Sequence, residues 1–365
     1  MKKMRLIPQC FLIVLLSLIC ILCSVSCDIA GGDAETSMQT ETSENTGAPE
    51  TESALVTTEQ DSVTETESFA PETEETTADS ESVGTKESIS EPETEPIEAI
   101  YQPLDDTTLA DGSNVRIMSW NLLFESADCR VAPRASLAAE VIRAYAPDVI
   151  GTQETCPEWY EELSYLLSDS YRFVTRKNAK NGDNYSTLWY NTKTVRLIEW
   201  GVRNYTEGQN KTMRLVTWAV FERLDGGERF IVTSTHWDVN SGNKYENRIM
   251  QQARELVALI EDIREEHPYP MFCTGDYNRV PGTNQYKSFI EWSGFSDAPN
   301  VAESYKRLQH TYHNVGEPIF SVGLIDHIFC SPESNVIFYN TIIDSYAVDA
   351  SDHCPIYIDI CLSDS

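Results

Sequence analysis

The sequence predicts a mixed α/β layered domain over residues 106–365, on two observations. Many short segments carry apolar residues at period two, the pattern of strands, and a few longer ones carry them at helical spacing. A helix with one apolar stripe needs a sheet to cover, so many strands and few helices stack in layers.

Val115, Ile117 and Ser119 alternate with Arg116, Met118 and Trp120, which predicts the first strand. Residues 135–145 follow as a helix, with Leu137, Val141, Ile142 and Tyr145 along one face. Residues 148–152 read as a short buried strand, and Pro157 opens a helix running to 167. A strand-rich middle comes next, at 171–175, 186–190, 195–205 and 214–222. Asp225-Gly226-Gly227 is a tight-turn signal joining the last of these to a strand at 230–235. The longest helix covers 245–267, lined by Ile249, Ala253, Leu256, Val257, Ile260 and Ile263. Strands at 271–274, 324–329, 336–339 and 355–360 complete the set, and no internal repeat is visible.

The N-terminal part cannot join this domain. The chain has 365 residues and a formal charge of −31, unevenly distributed. Residues 28–100 hold 21 acidic side chains against the single Lys86. This Thr/Ser/Glu-rich stretch has too few apolar residues to offset chain entropy, which predicts a disordered linker over 28–105. Removing its −20 and the +3 of residues 1–27 leaves −14 on residues 101–365. That balance argues against a transcription factor that wraps DNA with a basic face.

Lys2, Lys3 and Arg5 precede an apolar run at 11–23, with small residues at Ser24 and Ser26 before Cys27. Residues 1–27 therefore read as an export signal. It resembles a bacterial lipoprotein signal, in which Cys27 would be lipidated, although Ser24 stands where such signals usually hold Leu. An uncleaved membrane anchor over 6–25 and free secretion are the other readings. All three place the domain outside the cytoplasm. Six of the ten cysteines fall in the domain: Cys129, Cys156, Cys273, Cys330, Cys354 and Cys361. None forms a C-x-x-C pair, which argues against a thiolate metal site; disulfides and isolated buried thiols both stay open.

Polar residues stand at strand ends where apolar ones would be cheaper: Asn121, Glu154, His236, Asp238, Asp276 and Asn278. Asp326 and His327 lie within a strand, and Asp352 and His353 precede the last one. Singly, each has a bland explanation as a turn cap or a hydrogen-bonded core residue. Jointly they fit a metal-assisted phosphoester hydrolase, since strand ends are where layered sheets place sites. A hard cation needs oxygen ligands such as Glu154 and Asp352. Asn121, Asn278, His236 and His353 can donate to a phosphoryl group, and Asp276 or a His–Asp pair can act on water. The histidine spacing argues against zinc.

Six segments carry a resemblance: Ser119-Trp120-Asn121, the run 148–154, Thr235-His236-Trp237-Asp238, Gly275-Asp276-Tyr277-Asn278, Ile325-Asp326-His327-Ile328 and the run 351–355. In this order and spacing they resemble the endonuclease/exonuclease/phosphatase superfamily, over about Val115 to Ile360. The resemblance implies a four-layer αββα sandwich with two packed mixed β-sheets. It implies Glu154 as the main Mg²⁺ ligand (Mn²⁺ as a substitute), with Asp352 completing the metal site and Asn121 holding metal or phosphate. It further implies that Asp276 orients or deprotonates the attacking water and that Asn278 binds a phosphoryl oxygen. His236 would contact the phosphate or assist the leaving group, and His353 would act on the phosphate, oriented by Asp326. Trp237 and Tyr277 replace a more usual Leu and Phe, with bulk kept. His327 is expected to be structural, and Arg248 and Gln251 to be solvated or to pack on a sheet.

The expectation is a membrane-tethered, extracytoplasmic, magnesium-dependent phosphodiesterase or phosphatase, with nuclease slightly ahead as substrate class. Enzymes of small or lipid phosphoesters, sphingomyelinase-like or inositol-phosphatase-like, are the alternative, and a non-catalytic display module is the second. Its partners would be the phosphoester substrate and the membrane, with no obligatory protein partner. The domain's charge favours a weak, salt-tolerant grip on polymers. A basic strip could still be assembled from Arg172, Arg176, Lys177, Lys180, Arg203, Lys211 and Arg214.

Overall fold

Period two divides each central strand between two apolar layers. In β1 (Val115–Asn121), Val115 and Ile117 enter one buried cluster while Met118 and Trp120 enter another. The computed structural model describes residues 107–363, except 128, 209–212, 240–242, 309, 314 and 316–322. The export signal, Cys27, the acidic linker and Lys211 lie outside the described residues.

The other strands are β2 (Val149–Gln153), β3 (Tyr171–Phe173), β4 (Leu188–Asn191), β5 (Val195–Asn204), β6 (Leu215–Arg223), β7 (Arg229–His236), β8 (Met271–Asp276), β9 (Ser296–Asp297), β10 (Ser304–Tyr305), β11 (Asp326–Cys330), β12 (Val336–Thr341) and β13 (Ile356–Ile360). They form one sheet of order β10-β12-β13-β1-β2-β4-β3 and a second of order β5-β6-β7-β8-β11-β9. Both are mixed: β1 runs parallel to β2, β7 to β8 and β10 to β12, and the remaining pairs are antiparallel.

Three apolar layers hold the stack together. Between the sheets lie Val115, Ile117, Val149, Phe221, Val232, Phe272, Ile328 and Ile358. Outside the first sheet, α1 (Val131–Tyr145) and α2 (Pro157–Leu166) cover Met118, Trp120, Ile150 and Trp189. Outside the second, α3 (Asn243–Glu266) and α4 (Asn284–Ser293) cover Val216, Ile231, Met271 and Phe329. Burying each large apolar side chain contributes about 1.5–3 kcal/mol. The result is the four-layer αββα sandwich that the resemblance implies.

Several boundaries differ from expectation. The first helix begins at Val131, four residues early, because Pro133 falls in the first turn, where its missing N–H has no intrahelical use. Three short helices were not among the expected elements: α4, α5 (Ala298–Val301) and α6 (Ser345–Ala350). Strands β7 and β8 run on to His236 and Asp276, so these side chains are held by sheet pairing rather than by loops. Among the described residues the six domain cysteines form no disulfide, and Cys156, Cys273, Cys330 and Cys354 are buried. Among the described residues no helix is long and apolar enough to cross a membrane.

Candidate active site

Strand register decides which polar side chains meet. Parallel pairing sets His236 opposite Asp276, and antiparallel pairing sets Asp326 opposite the same Asp276. Phe272, Val232 and Ile328 face the layer between the sheets, so residues an even number of positions away on the same strands face it too. That brings His236, Asp276 and Asp326 to its edge. From the other sheet, β1 sends Asn121 to the same edge, two pleats beyond the inward-facing Ile117. Glu154 follows directly on β2.

Asn121 joins the two sheets. Its Nδ2 donates to Glu154 Oε1 at 3.2 Å and to Asp276 Oδ2 at 3.0 Å, while its Oδ1 accepts from the Leu123 N–H at 3.0 Å. Glu154 Oε2 accepts from the Phe124 N–H at 3.1 Å. Asp276 Oδ1 accepts from the Asn278 N–H at 2.9 Å, and Oδ2 lies 3.3 Å from His236 Nε2 and 3.8 Å from His353 Nε2. His353 Nδ1 bonds Asp326 Oδ2 at 2.8 Å. The loop carrying Asp352 and His353 is pinned to β1: Ser351 Oγ donates to the Asn121 carbonyl at 2.6 Å, and Trp120 Nε1 to the His353 carbonyl at 2.9 Å. Leu123, Glu154 and Asn278 all have positive φ, +56°, +56° and +52°. Non-glycine residues in this region are strained by about 1–3 kcal/mol each, and such strain concentrates at functional sites.

Charge is balanced tightly here. Burial alone would raise Asp276, but His236 and His353 beside it, with the bond from Asn121, hold its carboxyl well below the usual range. Burial works against a charge on His353 as well, and Asp326 and Asp276 outweigh it, keeping the imidazole protonated well above its ordinary value. Burial pushes Asp352 up to about 6, against the pull of His353, and the neighbouring Glu154 adds to the rise.

These residues fit a divalent cation. Asp352 Oδ1 is buried with no hydrogen-bond partner, and the repulsion between Asp352 and Glu154 is what a bound cation would relieve. Both offer hard oxygen ligands. A second grouping, Asp276, Asp326 and His353, brings one ligand atom from each within 4.8 Å. Its imidazole faces a carboxylate at each nitrogen, however, and a doubly protonated ring has no lone pair for a metal.

All eight expected catalytic and metal residues thus gather at one edge of the inter-sheet layer. His327 does not join them. One residue along from Asp326, it faces the outer layer, donating Nε2–H to the Arg279 carbonyl at 2.8 Å and pairing Nδ1 with Asp297 at 2.7 Å. The asparagine amide of Asn278 donates to the Trp237 carbonyl at 2.9 Å, which ties the β8 exit to the β7 exit. Asp238 is fully buried and paired with Arg214 Nε at 3.0 Å. Sequence reading missed Ser351 and Arg134. The signal for Arg134 was a basic residue on the buried face of α1, in line with Val131, Ala138 and Val141.

Known proteins share this fold. Nocturnin from rat is 24% identical over 217 residues, covering 53% of this chain and 49% of that protein, and human nocturnin is 24% identical with 53% and 48% covered. The chain thus spans about half the length of these curated relatives. Among solved structures, a mannosyl-6-phosphatase of Bacteroides thetaiotaomicron is similar, with TM-score 0.61, 21% identity, and 68% of this chain and 100% of that one covered. Danio rerio TDP2, complexed with a single-stranded DNA product, is similar at TM-score 0.54 and 19% identity, over 67% and 98% of the two chains. The Endonuclease/Exonuclease/phosphatase family model matches residues 118–353, and the chain belongs to that family of phosphoester hydrolases, whose chemistry uses a divalent metal.

Proposed function

We propose that this chain is a magnesium-dependent phosphoester hydrolase held outside the cytoplasm at a membrane, acting on compact phosphoesters in preference to long nucleic acid. The observation that carries the catalytic reading is Asp276, buried and ionised, receiving Asn121, the Asn278 N–H and two histidines at one point between the sheets. A magnesium ion held by Glu154 and Asp352, with Asn121 beside them, would polarise the phosphoryl oxygen and offset its charge.

The protein groups then divide the remaining work. Asp276, held ionised by His236 and His353, accepts a hydrogen bond from the attacking water and orients or deprotonates it. His353, kept protonated by Asp326, donates to a phosphoryl oxygen as negative charge grows there. His236 lies 3.3 Å from Asp276 and donates on the leaving-group side. Asn278, whose Nδ2 already donates one N–H to the Trp237 carbonyl, keeps its second amide N–H for the phosphoryl group.

Charge supports the compact substrate. Of the residues that could build a basic strip, Arg176 and Lys177 pair with Asp183, Arg203 with Asp262 and Arg214 with Asp238. With −14 over residues 101–365, these pairs reduce the positive charge free to displace counterions along a polymer. The mannosyl-6-phosphatase similarity points the same way.

The test is one panel at fixed magnesium: plasmid DNA, RNA, sphingomyelin, and small phosphodiesters and monoesters, each at low and moderate salt. Preferred turnover of a small ester with little salt dependence is expected. Tight duplex binding that collapses with salt would decide for nuclease instead. The tether is tested by Cys27→Ser, which releases the chain from membranes if Cys27 carries a lipid. Unchanged membrane association at unchanged size would favour the uncleaved helix.

A further inference from the structure

Arg134 lies in the second turn of α1, 5% exposed, and every hydrogen bond of its guanidinium goes to a backbone carbonyl. Nη1 donates to Leu122 at 2.6 Å and Ala350 at 2.8 Å; Nη2 donates to Leu123 at 2.8 Å and Phe124 at 3.2 Å. The group stacks 5.0 Å over the Trp159 ring, whose Nε1 donates to the same Leu123 carbonyl at 2.8 Å. Among the described residues no carboxylate pairs with it. Desolvating an arginine to serve only carbonyls costs free energy, and burial lowers its proton affinity accordingly. The acceptors explain the expense. The 122–124 turn, strained at Leu123, presents one N–H to Asn121 Oδ1 and another to Glu154 Oε2. Ala350 ends α6, two residues before Asp352.

We infer that Arg134 is a positioning residue that sets the spacing between Glu154 and Asp352, and thereby the affinity for the divalent ion. One rigid fork fastens the turn that orients Glu154 to the helix end from which Asp352 extends. A lysine keeps the charge but cannot present two nitrogens to carbonyls on separate segments. The inference rests on the metal site proposed above.

The experiment is calorimetric titration of Mg²⁺ and Mn²⁺ into the purified full-length chain, alongside thermal melts and turnover against metal concentration. Wild type, Arg134→Lys, Trp159→Phe and Glu154→Gln are compared. Loss of a group that orients metal ligands typically weakens binding about 10–100-fold. Arg134→Lys should do so, with turnover largely restored at saturating metal. Trp159→Phe, which keeps an aromatic face under the guanidinium but loses the bond to Leu123 and part of the buried indole, should weaken binding less, and it serves alone if Arg134→Lys fails to fold. A lowered melting temperature with unchanged metal affinity in the folded variants would mean that Arg134 only stabilises the fold, and would overturn the inference. If wild type takes up no divalent ion, the metal reading falls and the inference with it; if wild type binds and Glu154→Gln does not, the metal reading stands whatever Arg134 does.

Discussion

At Gly151 the two sheets approach closely, and replacing it with alanine should loosen both the fold and the site. A Cβ there would lie 1.8 Å from Thr274 Oγ1, 2.9 Å from Thr274 Cβ and 3.3 Å from Ser234 Cβ, all on the opposite sheet. Thr274 cannot simply turn away, because its Oγ1 donates to the buried Thr233 carbonyl at 2.6 Å. Overpacking costs about 1–3 kcal/mol and an unsatisfied buried group about 1–3 kcal/mol, so the loss should be about 2–6 kcal/mol. For a domain of this size that is a fall of roughly 5–15 °C in melting temperature. Urea unfolding followed by tryptophan fluorescence measures it. Turnover should also fall, by about tenfold at temperatures where the variant is folded, because the Asn121–Asp276 bond spans the separated sheets. Adding Thr274→Ala removes the 1.8 Å contact and should recover at least about 1 kcal/mol relative to additivity. A loss under about 0.5 kcal/mol in Gly151→Ala, or strict additivity in the double variant, would refute the close-approach argument.

Glu154→Gln should lower turnover at least about 100-fold, and chelation of divalent ions should do the same to wild type; near-wild-type rates in both would remove the metal site. Asp326→Asn should cost about 10²–10⁴ in kcat with little change in KM, because it disorients His353 without touching substrate, and steady-state kinetics within threefold of wild type would contradict that role. His353→Ala should lose as much activity while melting cooperatively, checked by paired kinetics and calorimetry. His327 gives a pH signature away from catalysis. Its pKa is raised by Asp297 against burial, so its stabilisation is complete below about 6.5 and is lost as pH rises through the raised value. The stability gap between wild type and His327→Gln should therefore narrow from pH 6 to pH 9, and a constant gap in denaturant titrations would exclude the ion pair.

Period two and helical spacing were enough to read the central strands and the two long helices, because burial on one face leaves that imprint on any sequence. They also placed Asn121, Glu154, His236, Asp276 and Asp352 at or beside strand ends, where a polar residue has no packing reason to be. In α4 the helical spacing of Tyr286, Phe289 and Ile290 spans barely one turn, and the six-residue α6 has too few apolar positions for a period to emerge. Their place follows from the sheet α4 covers and the turn α6 closes. What the tertiary structure alone decided is which of these residues meet. The register that sets Asp276 opposite both His236 and Asp326 is fixed by pairing between segments 40 or more positions apart in the chain, which no local pattern encodes. The same alternation separates neighbours: Asp326 turns inward to His353 and His327 outward to Asp297. Arg134 shows the limit most sharply, since its acceptors are backbone carbonyls, and a carbonyl looks the same in every residue until the chain has folded.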